Sequence, residues 1–137
     1  IKKKSGKNSA QRGEVWARLR SSRIIYSVFT FQTFLKEHNL DRIDFIKTDC
    51  EGGEYSLFTE ANMPFLLNNV RSIVGEWHLS RRYPIQKVEF RYFRDKYLKQ
   101  FPNFEVYSTD GFNIKWNLWN EHFIDYYQEV YFYIDNR

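Results

Sequence analysis

Cysteine, methionine, proline and glycine are all scarce in this chain. Cys50 is alone, which excludes an internal disulfide and fits a reducing compartment, so the cytoplasm is the expected location. Met63 is the only methionine and the chain opens at Ile1. An initiator-trimmed end normally carries a small residue, so the sequence reads as a processed product or a fragment of a longer protein. The six glycines leave a gap: before Cys50 only Gly6 and Gly13 occur. No apolar run approaches the roughly 20 residues that a membrane-spanning helix needs, and no secretory signal is visible.

Aromatic side chains are abundant. Thirteen Phe, ten Tyr and four Trp in 137 residues mean that rings must fill much of the core and some of the surface. The length suits one domain with a real core. Net charge is +4, and Lys2, Lys3, Lys4, Lys7, Arg12, Arg18, Arg20 and Arg23 crowd the start. Residues 1–22 therefore read as a basic arm or loop, and 23–137 as the folded part. No nucleic-acid recognition pattern accompanies the charge, which argues against a nucleic-acid partner.

The hydrophobic pattern predicts alternating strands and helices. Residues 23–29 (RIIYSVF) read as a strand. Thr30 is placed to cap a helix over 31–38, with Phe31, Phe34, Leu35 and His38 on one face and Asn39 as its stop. Residues 43–48 form a strand apolar on both faces, as in a central parallel strand. A turn at 49–53 and a helix over 54–60 follow, and Pro64 opens a short helix to about 67. Residues 70–76 form a second buried strand. Phe90, Phe93, Tyr97 and Phe101 stripe a helix over 87–100. Strands at 104–108 and 129–134 close the chain, with a polar, aromatic stretch containing Trp116 and Trp119 between them. The order predicts an α/β sheet with ligands beyond the carboxyl ends of its strands. Two strands end in charged clusters, Asp49/Glu51 and Glu76/His78. If they are neighbours, the clusters share one crevice.

The richest stretch is 43–58, IDFIKTDCEGGEYSLF. Asp49, Glu51 and Glu54 crowd a turn where packing has no need of carboxylates. Gly52 and Gly53 suit a tight turn and a close ligand. Asp49 and Glu51, two apart, face one way in an extended segment and suit a cationic group or a divalent ion. They would equally suit the start of a helix, and Glu54 is as well placed for capping as for ligand binding. His78 titrates near neutral pH and is the natural general base, with Glu76 to orient it or bind substrate.

This stretch resembles the signature strand of FkbM-type methyltransferases, which use S-adenosylmethionine. Asp44, Lys47, Asp49, Glu51, Gly52 and Glu54 meet the family's pattern. A second element, a strand ending Glu-x-His, is met by Glu76 and His78, and the likeness runs over about 23–137. It implies a Rossmann-like class I methyltransferase sheet with a late antiparallel strand. The Gly-rich cofactor loop of that class is not found, so the likeness is to the carboxyl-terminal half, with the amino-terminal cofactor half apparently missing. The implied activity is S-adenosylmethionine-dependent O-methylation of a sugar, glycan or natural-product hydroxyl. The implied catalytic residues are His78, Glu76 and Asp49; Asp49, Glu51 and Gly52 would hold the cofactor; Lys47, Glu54 and Trp77 would meet substrate. A divalent ion on Asp49 and Glu51 is the alternative occupant, with metal-assisted hydrolysis as its chemistry. The other reading is a non-catalytic, degenerate relative used for binding or assembly. Expected partners are the small-molecule or glycan acceptor and, as an open alternative, a second copy of the chain.

Overall fold

The computed structural model describes residues 30–79 and 84–137. The expected strand at 23–29 and the basic arm lie outside them. Helix α1 spans Phe31–Glu37, and the Thr30 hydroxyl accepts the Thr33 N–H. Its end is a Schellman motif. Asn39 takes φ 50°, the Leu40 N–H bonds the Leu35 carbonyl at 2.9 Å, and the Asn39 N–H bonds the Lys36 carbonyl at 3.3 Å. Strand β1 follows at Ile43–Thr48. The expected helix over 54–60 is only a short 3-10 turn, Glu54–Leu57. Helix α2 is Met63–Asn69, with Pro64 in its first turn, and it runs directly into β2, Val70–His78. Helix α3 is Pro84–Lys96, ending in a 3-10 turn at Leu98–Gln100. Strand β3 is Asn103–Tyr107, helix α4 Phe123–Tyr126 and strand β4 Glu129–Asp135.

The four strands form one mixed sheet in the order β1-β2-β4-β3. β1 and β2 are parallel, and β4 lies antiparallel between β2 and β3. The two charged clusters therefore do end neighbouring strands. Side chains alternate across the sheet, and its two faces differ. Ile73 and Trp77 of β2, Val106 of β3 and Val130, Phe132 and Ile134 of β4 point one way and are all buried. They pack beneath Phe90 and Phe93 of α3. Trp77 stacks on Phe132 at 4.4 Å and meets Phe93 edge-on at 5.1 Å, while Phe58 meets Phe93 at 4.4 Å. The helical stripe read from the sequence is this core: Phe90, Phe93, Tyr97 and Phe101 are all buried.

β1 departs from its expected burial. It is the outer strand of the described sheet, and Phe45 is 58% exposed. A strand apolar on both faces needs a cover on both, and among the described residues only one face of β1 has it. Trp116 and Trp119 also lie outside the core. Both are exposed, and Trp119 carries the Arg94 guanidinium and Lys99 ammonium over its ring.

Candidate active site

At the carboxyl end of β1 the chain turns sharply. The Gly53 N–H bonds the Cys50 carbonyl at 3.0 Å, and the two central residues, Glu51 and Gly52, take φ 52° and 103°. Two positive φ values in succession mark a mirror-image β-turn, which glycine accepts freely and glutamate does not. Gly52 meets the conformational need; Gly53, at φ −82°, does not share it. Lys47 sits 3.6 Å from Asp49 across the strand end.

β2 approaches this turn closely. Thr48 pairs with Gly75, and a Cβ on Gly75 would overlap the Thr48 carbonyl oxygen and hydroxyl. Glycine here lets Glu76 come up beside Asp49. β2 continues two residues further than the sequence pattern suggests, so Glu76 and His78 share a face and Trp77 takes the opposite one. Trp77 is fully buried and packs in the core, where it offers a substrate no surface. That corrects its expected place among the substrate contacts, and the strict alternation of a strand was the signal that could have placed it.

The structure brings together Glu54 and His78. Glu54 is fully buried, and its Oε1 takes the His78 Nδ1 as hydrogen-bond partner. The main chain of His78 is fixed as well, because the Tyr55 hydroxyl donates to the His78 carbonyl at 2.9 Å. The Leu79 N–H also bonds the Gln128 carbonyl at 2.6 Å, which ties the end of β2 to the start of β4. With Nδ1 held by a carboxylate, a neutral His78 carries its proton there and offers the Nε2 lone pair to the crevice. Nε2 lies 3.7 Å from Glu76 and 3.8 Å from Glu51. Burial alone would depress the His78 pKa; the Glu54 hydrogen bond and the charges of Glu54, Glu51 and Glu76 outweigh it and raise the pKa. The Glu76 carboxyl is pushed up by its burial and by its neighbours Asp49 and Glu129.

One oxygen each from Asp49 and Glu76 and a ring nitrogen of His78 lie within 4.8 Å of one another. Beside the turn, along the outer edge of β1, runs a cleft of about 560 Å³. Phe31, Phe34, Phe45, Ile46 and Leu57 give it apolar walls, and Lys47, Gly53 and Glu54 border it. Its size suits a small-molecule ligand. Cys50, between Asp49 and Glu51 in the turn, lines this cleft, and the carboxylates on either side of it are groups that suit a sulfonium or ammonium, so the residues of the turn fit the cationic end of S-adenosylmethionine. Sequence reasoning placed Asp49, Glu51, Glu76 and His78 in one crevice but missed Tyr55, Gly75 and the dyad partner of His78. Glu54, expected at substrate, borders the cleft and is also the buried partner of His78.

An α/β fold with a four-stranded mixed sheet and an acid–histidine crevice at its strand ends is consistent with a Rossmann-like methyltransferase. The family described as Methyltransferase FkbM domain matches residues 2–116, and the chain belongs to that family. No curated protein and no solved structure matches the chain. Among the described residues, no helix is long and apolar enough to cross a membrane.

Proposed function

We propose that the chain carries the proton-accepting side of an S-adenosylmethionine-dependent O-methyltransferase. The observation that supports this reading most is the Glu54–His78 dyad, in which a fully buried carboxylate from the signature stretch holds Nδ1 of a histidine at the end of β2. S-adenosylmethionine, when bound, supplies an electrophilic methyl group. His78 Nε2 would accept the proton that the acceptor hydroxyl loses on methylation, the sulfur side of the donor leaving as the neutral thioether. Glu54 holds the ring and stabilises the imidazolium that results. Asp49 and Glu51 would hold the donor's positively charged end, with Lys47, 3.6 Å from Asp49, orienting that carboxylate.

Calorimetry with S-adenosylmethionine tests this on the chain together with any residues its gene encodes before Ile1. Binding in the micromolar range is expected; a folded protein that gives no heat favours a binding or assembly module instead. His78→Ala should reduce kcat by about 10²–10⁴-fold, the usual worth of a general base, and leave cofactor affinity unchanged. A second reading follows from the meeting of Asp49, Glu76 and His78, whose mixed oxygen and nitrogen donors suit a divalent cation. In that case activity disappears with chelator and returns with Mg²⁺ or Mn²⁺.

A further inference from the structure

His78 Nε2 has a single lone pair, and a proton is not the only partner its surroundings suit. An oxygen of Asp49, an oxygen of Glu76 and a ring nitrogen of His78 lie within 4.8 Å of one another. Glu76 Oε2 is 3.7 Å from Nε2. A tetrahedral zinc ion with bonds of about 2.0–2.2 Å spaces its ligand atoms about 3.3 Å apart, so a small carboxylate rotation closes the difference. Glu76 and His78 end β2, Asp49 directly follows β1, and Gly75 lets the two strands meet closely there. Glu54 is a second, independent pointer. A histidine that ligates a metal through one ring nitrogen almost always donates its other N–H to a carboxylate or a carbonyl, which fixes the ring and strengthens the ligand. His78 has that arrangement, with the fully buried Glu54 at Nδ1.

We infer that Asp49, Glu76 and His78 form a Zn²⁺ site that switches the crevice off. The switching rests on the methyltransferase reading above; the binding does not. Imidazole together with carboxylate suits zinc and its transition-metal neighbours. Mg²⁺ takes oxygen ligands in a near-octahedral shell and dehydrates reluctantly, so it leaves Nε2 unligated. Zinc on Nε2 occupies the lone pair that would accept the acceptor's proton. It also neutralises Asp49 and sets a dication where the sulfonium of the methyl donor would lie, against like charge. Metal and donor therefore exclude one another, and the exclusion is reciprocal. Lys47, whose side chain is largely exposed, has room to swing from Asp49 as the cation arrives. This is the reverse of a metal-assisted reaction, in which the cation promotes turnover.

Calorimetry with zinc chloride tests this on the metal-stripped chain together with any residues its gene encodes before Ile1. One equivalent should bind in the micromolar range or tighter, and magnesium chloride at the same concentration should give no heat. His78→Ala should abolish zinc binding. Glu54→Gln keeps all three ligands and should weaken it about 10–100-fold. His122→Ala, at an exposed histidine beside Asp125, should change nothing. Circular dichroism confirms that each variant is folded. In imidazole ¹⁵N NMR of the unaltered protein, zinc should move the His78 Nε2 resonance and leave the Nδ1 proton in place. The zinc-loaded chain should bind S-adenosylmethionine about tenfold more weakly than the stripped one. No heat with zinc, binding that survives His78→Ala, or an unmoved Nε2 resonance overturns the site. An unchanged S-adenosylmethionine affinity, or methyl transfer that rises with zinc, overturns the switch. The two readings fail separately. Zinc on His78 in a chain that does not bind S-adenosylmethionine sinks the methyltransferase reading and leaves the site, while S-adenosylmethionine binding without zinc binding sinks the site alone.

Discussion

Glu54 and His78 are 24 residues apart, and each changes meaning beside the other. A buried carboxylate against Nδ1 fixes the tautomer and makes the imidazole a stronger base. Glu54→Gln keeps the shape and removes the charge. We expect kcat to fall about tenfold or more. We also expect the acidic limb of the pH–rate profile, which should lie above the ordinary histidine value of about 6.5 in the parent, to move to lower pH. A limb that stays put would mean that Glu54 does not set the His78 pKa. Glu51 offers a different test. It sits at φ 52°, where an L side chain costs roughly 1 kcal/mol. Glu51→Gly should therefore raise the unfolding free energy by about 0.5–1 kcal/mol in urea titration while weakening S-adenosylmethionine binding. A variant that gains stability and binds the cofactor as before would show that the carboxylate has no part in the site.

At the scale of elements, the local signals were legible and the pairings were not. Thr30 capped α1 and Asn39 ended it as their chemistry requires, Pro64 opened α2, and the aromatic stripe of α3 became core. These depend on residues within one or two turns of one another. The helix expected over 54–60 stops after one 3-10 turn, where Phe58 leaves helical geometry at ψ 83° and turns into the core against Phe93. Among the described residues β1 is covered on one face only, and cover is a property of neighbours, which a strand's own sequence does not display. The β1–β2 junction is the element most exposed to substitution. A Cβ at Gly75 meets backbone, not the flexible end of a side chain. Gly75→Ala should cost about 1–3 kcal/mol, read from the denaturation midpoint, and should separate Asp49 from Glu76 with loss of activity. Trp77 is decided at this scale too. Trp77→Ala should cost about 3–5 kcal/mol as a core truncation, whereas Trp77→Phe should fold and leave the acceptor KM unchanged.

For the whole molecule, stability and activity should respond to pH in opposite directions. His78 and Glu76 both have raised pKa values in the fold, so the folded state binds protons more readily than the unfolded chain. The stability each contributes is complete below its unfolded pKa and is lost as pH rises through the folded one. Glu60, Asp95, Asp125 and Asp135 are depressed by their Lys96, Arg94, Lys87 and Arg137 partners, so their contribution is present above about pH 4.5 and lost as pH falls. Glu60, Asp95 and Asp125 are exposed and screened and add little, while Asp135, half-buried against Arg137, carries most of this acid-side contribution. The melting temperature should therefore peak between about pH 4.5 and 6.5 and decline toward alkaline pH. Activity, which needs His78 neutral, should rise over the range where stability declines. Melting curves from pH 4 to 9 in the presence of chelator, with Glu54→Gln as comparison, check this. The variant loses the group that raises His78, so its alkaline decline should shrink. A parent protein whose stability climbs through neutral pH would show that the dyad does not hold the proton this crevice is arranged to accept.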